Sequence, residues 1–246
     1  MKKTFAFLAL ILSLSSTAGA YSQGDLNQLL NNNSCPGGDL SGAFLQDADL
    51  TGADLTGANL SYANLANAVL EDATLKEANL EKANLSNAYL AGAKLDNANI
   101  SAANFRGAIL NKASLVSAKA FRTNFSHGFL NFANFYGTDM REANLDYAVC
   151  SYSNFISANL AQAWFFKTSL ENANLTSANL YNAKMKRALL INTNLTNANL
   201  ANANLRDANL NKAELTNANL DNADLLYANL EQAKLAGISL KTAKLK

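Results

Sequence analysis

Few residues in this chain could take part in catalysis or bind a metal, and they are far apart in the sequence. The 246 residues include one histidine, His127, and two cysteines, Cys35 and Cys150. A metal site needs several ligands close together, and a catalytic nucleophile needs a base beside it. The adjacent carboxylates Glu71 and Asp72 would need a cleft that shifts their pKa values before they could act as acid and base. We therefore predict no catalytic residue, no metal site, no cofactor site and no enzymatic activity.

These residues are carried by a five-residue repeat. From Leu40 to Leu245 every residue whose number is a multiple of five is apolar, and most of them are leucine. Two positions before each stands a small residue, nearly always alanine, with bulky Ile238 before Leu240 as the one exception. The stretch 196–210, TNANLANANLRDANL, shows three consecutive copies. Because no insertion interrupts the register, one structural unit is expected throughout.

A period of five fits neither the periodicity of an α-helix nor the alternation of a β-strand. A solenoid whose coils have four short sides, one for each repeat, brings the same residues inward every time. The small residue and the leucine then face the interior, and the other three positions face solvent. Glycine, asparagine and aspartate are common between the units, as turns require. We expect about ten coils and a rod roughly 50 Å long at the spacing of paired strands.

The tandem motif Ala-(Asp/Asn)-Leu-x-x resembles the pentapeptide-repeat family, and the resemblance covers residues 38–245. It implies an all-β fold, a right-handed quadrilateral β-helix. It says little about function, because members of this family do many different things. The expected organisation is a signal peptide at 1–20, an N-terminal cap at 21–37 and the pentapeptide-repeat β-helix at 38–246.

Residues 1–20, MKKTFAFLALILSLSSTAGA, have the three parts of a secretory signal. Lys2 and Lys3 are followed by an apolar run and by small residues that end at Ala20. We predict export with cleavage after Ala20; an uncleaved anchor is the alternative. The periplasm is the expected location, or, by the family resemblance, the thylakoid lumen in a cyanobacterial host.

The chain after residue 20 is nearly neutral. It holds 18 lysines and arginines against 19 aspartates and glutamates, a formal net charge of −1. A general affinity for nucleic acid is therefore not expected. No later segment is apolar and long enough to insert into a membrane.

The start of the solenoid is expected to be covered, because an end coil exposes its leucine layer. Leu26, Leu29 and Leu30 are spaced as on one face of a helix, which predicts a short helix over the first coil. A helix that binds a partner is the alternative.

The two cysteines are not expected to form a disulfide. Cys35 and Cys150 are both at inward positions but 115 positions apart, roughly 27 Å along the rod axis at strand spacing. A disulfide requires Cα atoms within about 7 Å. Some exported members of the resembled family begin with C-x-x-C-D-L, whereas this chain has CPGGDL with Gly38 in the second cysteine's place.

The residue before each inward leucine faces water and should be polar, but several are apolar. Six of them recur at multiples of four repeats and should stack on one side, interrupted by Ser169. Such an apolar surface usually marks an interaction site, although β-branched and aromatic residues also suit an outer ladder. With the nearby aromatic residues, the candidate partner-binding residues are Val69, Tyr89, Ile109, Phe129, Phe132, Val149, Tyr152, Trp164 and Leu189.

Three functions remain open at this point. The first is an exported scaffold that binds a protein partner, or a second copy of itself, through these apolar residues. The second follows from the family resemblance, since some members mimic DNA and bind type II topoisomerases such as gyrase. That role needs an acidic face and a cytoplasmic location. The third, a hydrolase on a β-helix, lacks a carboxylate cleft.

Overall fold

Each pentapeptide forms one side and one corner of a four-sided coil in the computed structural model, which describes residues 21–245. At the corner, the N–H of Ala68 donates to the carbonyl of Leu65 at 3.0 Å. The corner residue between them, Asn67, has a φ of 58°. This left-handed conformation recurs two residues after nearly every inward position whose number is a multiple of five, which explains the many asparagines and glycines there. The predicted signal peptide and its cleavage site lie outside the described residues.

Successive coils pair through single-residue parallel bridges between residues 20 positions apart. Val69 bridges Tyr89, for example, and the N–H of Leu70 donates to the carbonyl of Tyr89 at 2.7 Å. The bridges form four columns, which define side 1 from Ser34 to Lys234, side 2 from Asp39 to Asn219, side 3 from Phe44 to Lys244 and side 4 from Asp49 to Asn229. A coil of four pentapeptides, as the repeat predicted, therefore forms the solenoid.

The interior is a continuous column of leucine, alanine and phenylalanine. Phe135 and Phe155 stack with ring centroids 4.8 Å apart, and Phe135 also contacts Phe125 edge-on at 5.9 Å. Where a threonine replaces the small inward residue, its hydroxyl is satisfied internally: Thr138 donates to the carbonyl of Leu115 at 2.7 Å. A buried hydroxyl without such a partner would destabilise the core. Because the hydroxyl is hydrogen-bonded, the coil accommodates threonine at the position that alanine usually occupies.

Asparagines on the outside link the coils along sides 2 and 3. The side-chain amide of Asn84 donates to Asn64 at 3.1 Å, and Asn104 donates to Asn84 at 3.1 Å. The same Asn84 oxygen also accepts the backbone N–H of Ser86 at 3.2 Å. One asparagine therefore stabilises both the neighbouring coil and its own corner, as a ladder of stacked amides does.

Helix α1, Gln23–Asn32, lies at the N-terminal end of the rod. Ser22 caps it by accepting the N–H of Asp25 at 3.2 Å. Leu26 and Leu29 are buried against the first coil, and Leu30 is half-buried. The carboxylate of Asp25 accepts the N–H of Asp39 at 2.8 Å, which fixes the helix to the solenoid. No helix within residues 21–245 is both long enough and apolar enough to cross a membrane.

Both cysteines are free and buried, as their separation in the sequence predicted. Burial raises the pKa of the Cys150 thiol. The pKa of Cys35 is also raised, by burial and by the charge of Asp25, while the N–H of Gly38 opposes this shift. High thiol pKa values make both cysteines poor nucleophiles.

Candidate protein-binding surface

The apolar residues on side 4 stack one above another. Val69, Tyr89, Ile109, Phe129 and Val149 are joined by consecutive bridges, followed by Ser169 and Leu189. We call this column, from Val69 to Leu189, the apolar stripe. At about 4.8 Å per coil it extends roughly 29 Å along the rod. The stacking predicted from the repeat is confirmed.

The members of the stripe differ in exposure. Tyr89 and Phe129 are 50% and 47% exposed, and Leu189 is exposed as well, whereas Val69, Ile109 and Val149 are half-buried. A half-buried β-branched residue is explained by cross-strand packing. The large rings of Tyr89 and Phe129 remain in water and need a different explanation.

Phe132 and Tyr152 lie at the corner between sides 4 and 1, beside the stripe. Each is 56% exposed, and their rings stack at 5.1 Å with an interplanar angle of 7°. Both residues have a φ of 60°. Left-handed backbone conformation is unfavourable for bulky side chains. The preference of aromatic residues for positions in a β-ladder therefore does not explain why they occur at this corner.

Trp164 lies on side 3, one corner away from the stripe. It bridges Asn144 in one neighbouring coil and Lys184 in the other. The ammonium of Lys184 is 4.0 Å from the centroid of the Trp164 ring. Trp164 is therefore part of the same surface but of a different column from Val69 and Tyr89.

The corner between sides 3 and 4 connects Trp164 to the stripe and carries further aromatic residues. The rings of His127 and Tyr147 stack at 5.0 Å, and Phe166 meets Tyr147 edge-on at 5.4 Å. The ammonium of Lys167 is 5.5 Å from the Phe166 centroid and 5.8 Å from that of Tyr147. Sequence reasoning treated His127 as an isolated surface residue and missed Lys167 and Lys184. The spacing of 20 between His127 and Tyr147, and between Trp164 and Lys184, was the available signal.

Asp146 lies at the same corner as these rings and is half-buried. Its carboxylate accepts the backbone N–H of Phe166 at 2.7 Å. Burial raises the pKa of Asp146, and the hydrogen bond from Phe166 and the charges of Lys184 and His127 act in the opposite direction. The carboxylate therefore holds the corner in place rather than acting on a substrate.

The geometry does not assemble reactive groups on this surface. Glu71 and Asp72 are exposed on a convex corner, and no cluster of His, Cys, Asp and Glu within the described part of the chain could hold a metal ion. An extended surface with exposed aromatic rings and neighbouring cations can instead bury apolar and charged groups of another molecule.

Comparison with known proteins agrees with this fold. A family model described as pentapeptide repeats matches in eight copies, including copies that together cover residues 39–160, and a model described as a pentapeptide repeat region matches residues 163–245. No curated protein sequence matches the chain.

Among solved structures, the chain resembles HetL, a pentapeptide repeat protein involved in heterocyst differentiation regulation in the cyanobacterium Nostoc sp. strain PCC 7120. The two are 28% identical with a TM-score of 0.71, over 90% of this chain and 96% of HetL. This likeness implies a right-handed quadrilateral β-helix.

Two other solved structures share the repeat but superpose poorly. Full-length QnrB1, a plasmid-mediated fluoroquinolone resistance protein, is 17% identical with a TM-score of 0.35, over 77% of this chain and 85% of its own. A pentapeptide repeat protein from the Arabidopsis thaliana thylakoid lumen is 20% identical with a TM-score of 0.15, over 66% and 72%. These likenesses are too weak to inform the function of this chain.

Proposed function

The chain belongs to the pentapeptide-repeat family, and on this premise we propose that it is an exported, non-enzymatic rod that binds a protein through the apolar stripe and the aromatic residues beside it. Proteins of this family act generally through binding rather than catalysis. In this proposal the rod has about ten coils at strand spacing and α1 caps its N-terminal end.

One observation carries the proposal: aromatic residues are exposed where the fold itself disfavours them. Phe132, Tyr147 and Tyr152 occupy corner positions with φ between 60° and 61°, which asparagine or glycine would occupy with less strain. Stacking between neighbouring coils offsets part of this strain. Water-exposed rings next to the stripe otherwise contribute little to folding, so binding to a partner is the better explanation for them.

Export is supported by residues 1–20 alone, and it places the partner in the periplasm or, in a cyanobacterial host, in the thylakoid lumen. Mass spectrometry of the N-terminus of the protein from its host tests this. A mature chain that begins at Tyr21 supports export with cleavage, and a chain that retains Met1 or Lys2 contradicts the cleavage and favours the uncleaved anchor.

The DNA-mimic alternative has less support from this surface. A topoisomerase-binding mimic requires an acidic face, whereas the corner next to the stripe carries Lys167, Lys186 and Arg187. A gyrase supercoiling assay with the purified protein distinguishes the two functions, since a mimic inhibits or protects the enzyme and a stripe-directed binder leaves it unaffected.

The stripe is tested by comparing what two variants capture from host extract. Tyr89→Lys/Phe129→Lys places charges within the stripe. Tyr136→Lys/Tyr181→Lys is the matched control, because these tyrosines are 48% and 44% exposed but lie at other corners. We expect the first variant to lose proteins, or second copies of the chain, that the native protein and the control retain. Identical captures by all three would show that the stripe is only a stabilising ladder.

A further inference from the structure

The corner between sides 3 and 4 gathers positive charge along one edge of the stripe. Five cations from consecutive coils lie there or on the adjoining part of side 3, and we call them the basic corner: Lys167, Lys184, Lys186, Arg187 and Arg206. The opposite edge of the stripe, at the corner between sides 4 and 1, holds one acidic and one basic residue across from these cations, Glu171 and Lys212. Positive charge is therefore concentrated on one edge of the stripe.

Cations of the basic corner occupy equivalent positions in adjacent coils. The N–H of Lys167 donates to the carbonyl of Lys186 at 3.3 Å, and the N–H of Arg187 donates to that of Arg206 at 2.9 Å. Lys167 and Arg187 thus occupy equivalent corner positions in adjacent coils, as do Lys186 and Arg206. Like charges directly opposite each other in a ladder are destabilising. A negatively charged partner would reduce this repulsion.

The carboxylates nearby neutralise only part of this charge. Asp207 is shared between Lys186 at 3.9 Å and Arg187 at 3.8 Å, and Arg206 pairs with Asp224 at 3.3 Å. The third carboxylate, Asp146, is engaged with the backbone of Phe166.

Lys167 and Lys184 contact aromatic rings instead of carboxylates. The ammonium of Lys184 lies 4.0 Å from the centre of the Trp164 ring, and that of Lys167 lies near Phe166 and Tyr147. A cation on a ring face keeps its remaining N–H groups directed outward. These two ammonium groups are positioned to receive an anion while the rings cover their other side.

We propose that the partner of the apolar stripe presents an acidic protein segment, whose apolar residues pack on the stripe and whose carboxylates bind Lys167 and Lys184 at the basic corner. This inference rests on the proposed function and adds the chemistry of the partner. Charge complementarity along one edge fixes the direction in which the segment lies. A protein segment is favoured over a nucleic acid because the adjacent stripe is apolar and the whole chain carries a net charge near zero.

Trp164 is the only tryptophan in the chain, so its fluorescence reports on this corner directly. The purified full-length protein is titrated with a synthetic peptide of alternating glutamate and leucine, and with a matched peptide in which glutamine replaces glutamate. We expect a saturable change in Trp164 emission with the glutamate peptide, weakened by added salt, and little change with the glutamine peptide. Equal responses to both peptides would overturn the proposal.

Calorimetric measurement of peptide affinity in matched variants shows which lysines contribute to binding. Lys167→Gln/Lys184→Gln should weaken binding of the glutamate peptide about tenfold, as expected for two surface ion pairs. Lys94→Gln/Lys119→Gln removes the same charge from sides 1 and 2 and should change affinity less than about twofold. Equal weakening by both variants would contradict a local site. Lys167→Gln alone keeps the Lys184–Trp164 contact and provides the test if the double variant unfolds.

Other occupants give different outcomes. Oligo(dT) that binds more tightly than the glutamate peptide would assign the corner to nucleic acid and overturn the proposal. Concentration-dependent dimers in analytical ultracentrifugation that Lys167→Gln/Lys184→Gln abolishes, together with failure of the glutamate peptide to bind, would assign the corner to a second copy of the chain and overturn the proposal. If the glutamate peptide fails to bind while Tyr89→Lys/Phe129→Lys still loses its captured proteins, this inference is wrong and the proposed function stands.

Discussion

The ammonium of Lys184 lies 4.0 Å from the centre of the Trp164 ring, one coil further along side 3. This contact is made possible by the coil spacing, which brings residues 20 positions apart side by side. It covers one face of a ring that would otherwise be open to water. The same relationship, repeated at His127 and Tyr147, builds a continuous surface from residues that are distant in the sequence.

Replacing Lys184 tests this contact directly. Lys184→Ala should move Trp164 emission to longer wavelength, because water reaches the ring face that the lysine covered. The free energy of unfolding should fall by only about 0.5–1 kcal/mol, the usual range for an exposed cation–π pair. Fluorescence spectra and urea unfolding measure both effects. Lys94→Ala, on side 1, is the control. An emission shift in Lys94→Ala as large as that in Lys184→Ala would refute the contact between Lys184 and Trp164.

Two phenylalanines of the same coil should differ greatly in their contribution to stability. Phe135 is fully buried between Phe125 and Phe155, and Phe135→Ala should cost about 3–5 kcal/mol because it leaves a cavity. Phe132 is 56% exposed, and Phe132→Ala should change stability by less than about 1 kcal/mol. Denaturant unfolding of both variants provides the comparison. A large loss for Phe132→Ala would mean that the corner stack stabilises the fold rather than serving a partner.

Gly38 should be required by the position of Cys35. A Cβ at residue 38 would clash with the Cys35 sulphur and would also approach the Cys35 carbonyl oxygen and the Asp25 Cβ at 3.3 Å each. Gly38→Ala should therefore destabilise the α1 end of the rod by about 1–3 kcal/mol, the usual range for an overpacked site. Hydrogen exchange of residues 23–32 measures this locally.

A second substitution separates the two contacts. Cys35→Ala/Gly38→Ala lacks the sulphur. Its free energy of unfolding should therefore fall only a little below that of Cys35→Ala, and by much less than Gly38→Ala falls below the native protein. If the double variant is as impaired as the sum of the single variants, backbone contacts rather than the sulphur exclude a side chain at residue 38.

The stability of the protein should depend on pH through Asp146. Because burial raises the pKa of this carboxyl in the folded state, the folded protein binds more protons than the unfolded chain above about pH 4, the ordinary range of aspartate. The contribution of Asp146 to the free energy of unfolding therefore falls as the pH rises through its raised pKa.

Asp146→Asn removes this titration while its amide oxygen can still accept the N–H of Phe166. Relative to the native protein, the variant should gain stability between acidic and neutral pH. Urea unfolding at a series of pH values measures the difference. Asp139→Asn should show the opposite trend, since Arg141 lowers the pKa of Asp139. A difference for Asp146→Asn that stays constant with pH would contradict the raised pKa.

The sequence alone was sufficient for the coil and for the stacking of the stripe. A strict period of five residues leaves one way to bring alanine and leucine inward at every repeat, and residues four repeats apart must then be neighbours. Val69, Tyr89, Ile109 and Phe129 could therefore be assigned to one column. The separation of Cys35 and Cys150 followed from the same arithmetic.

The tertiary structure decided what lies between the columns. The repeat does not reveal that Phe132 and Tyr152 stack at a left-handed corner, that Lys184 covers Trp164 or that the half-buried Asp146 accepts the backbone N–H of Phe166. Periodicity fixes where each Cα lies along the rod. The direction of a side chain depends on its rotamer and on the side chains of the coils above and below, and those contacts exist only once the coils are stacked.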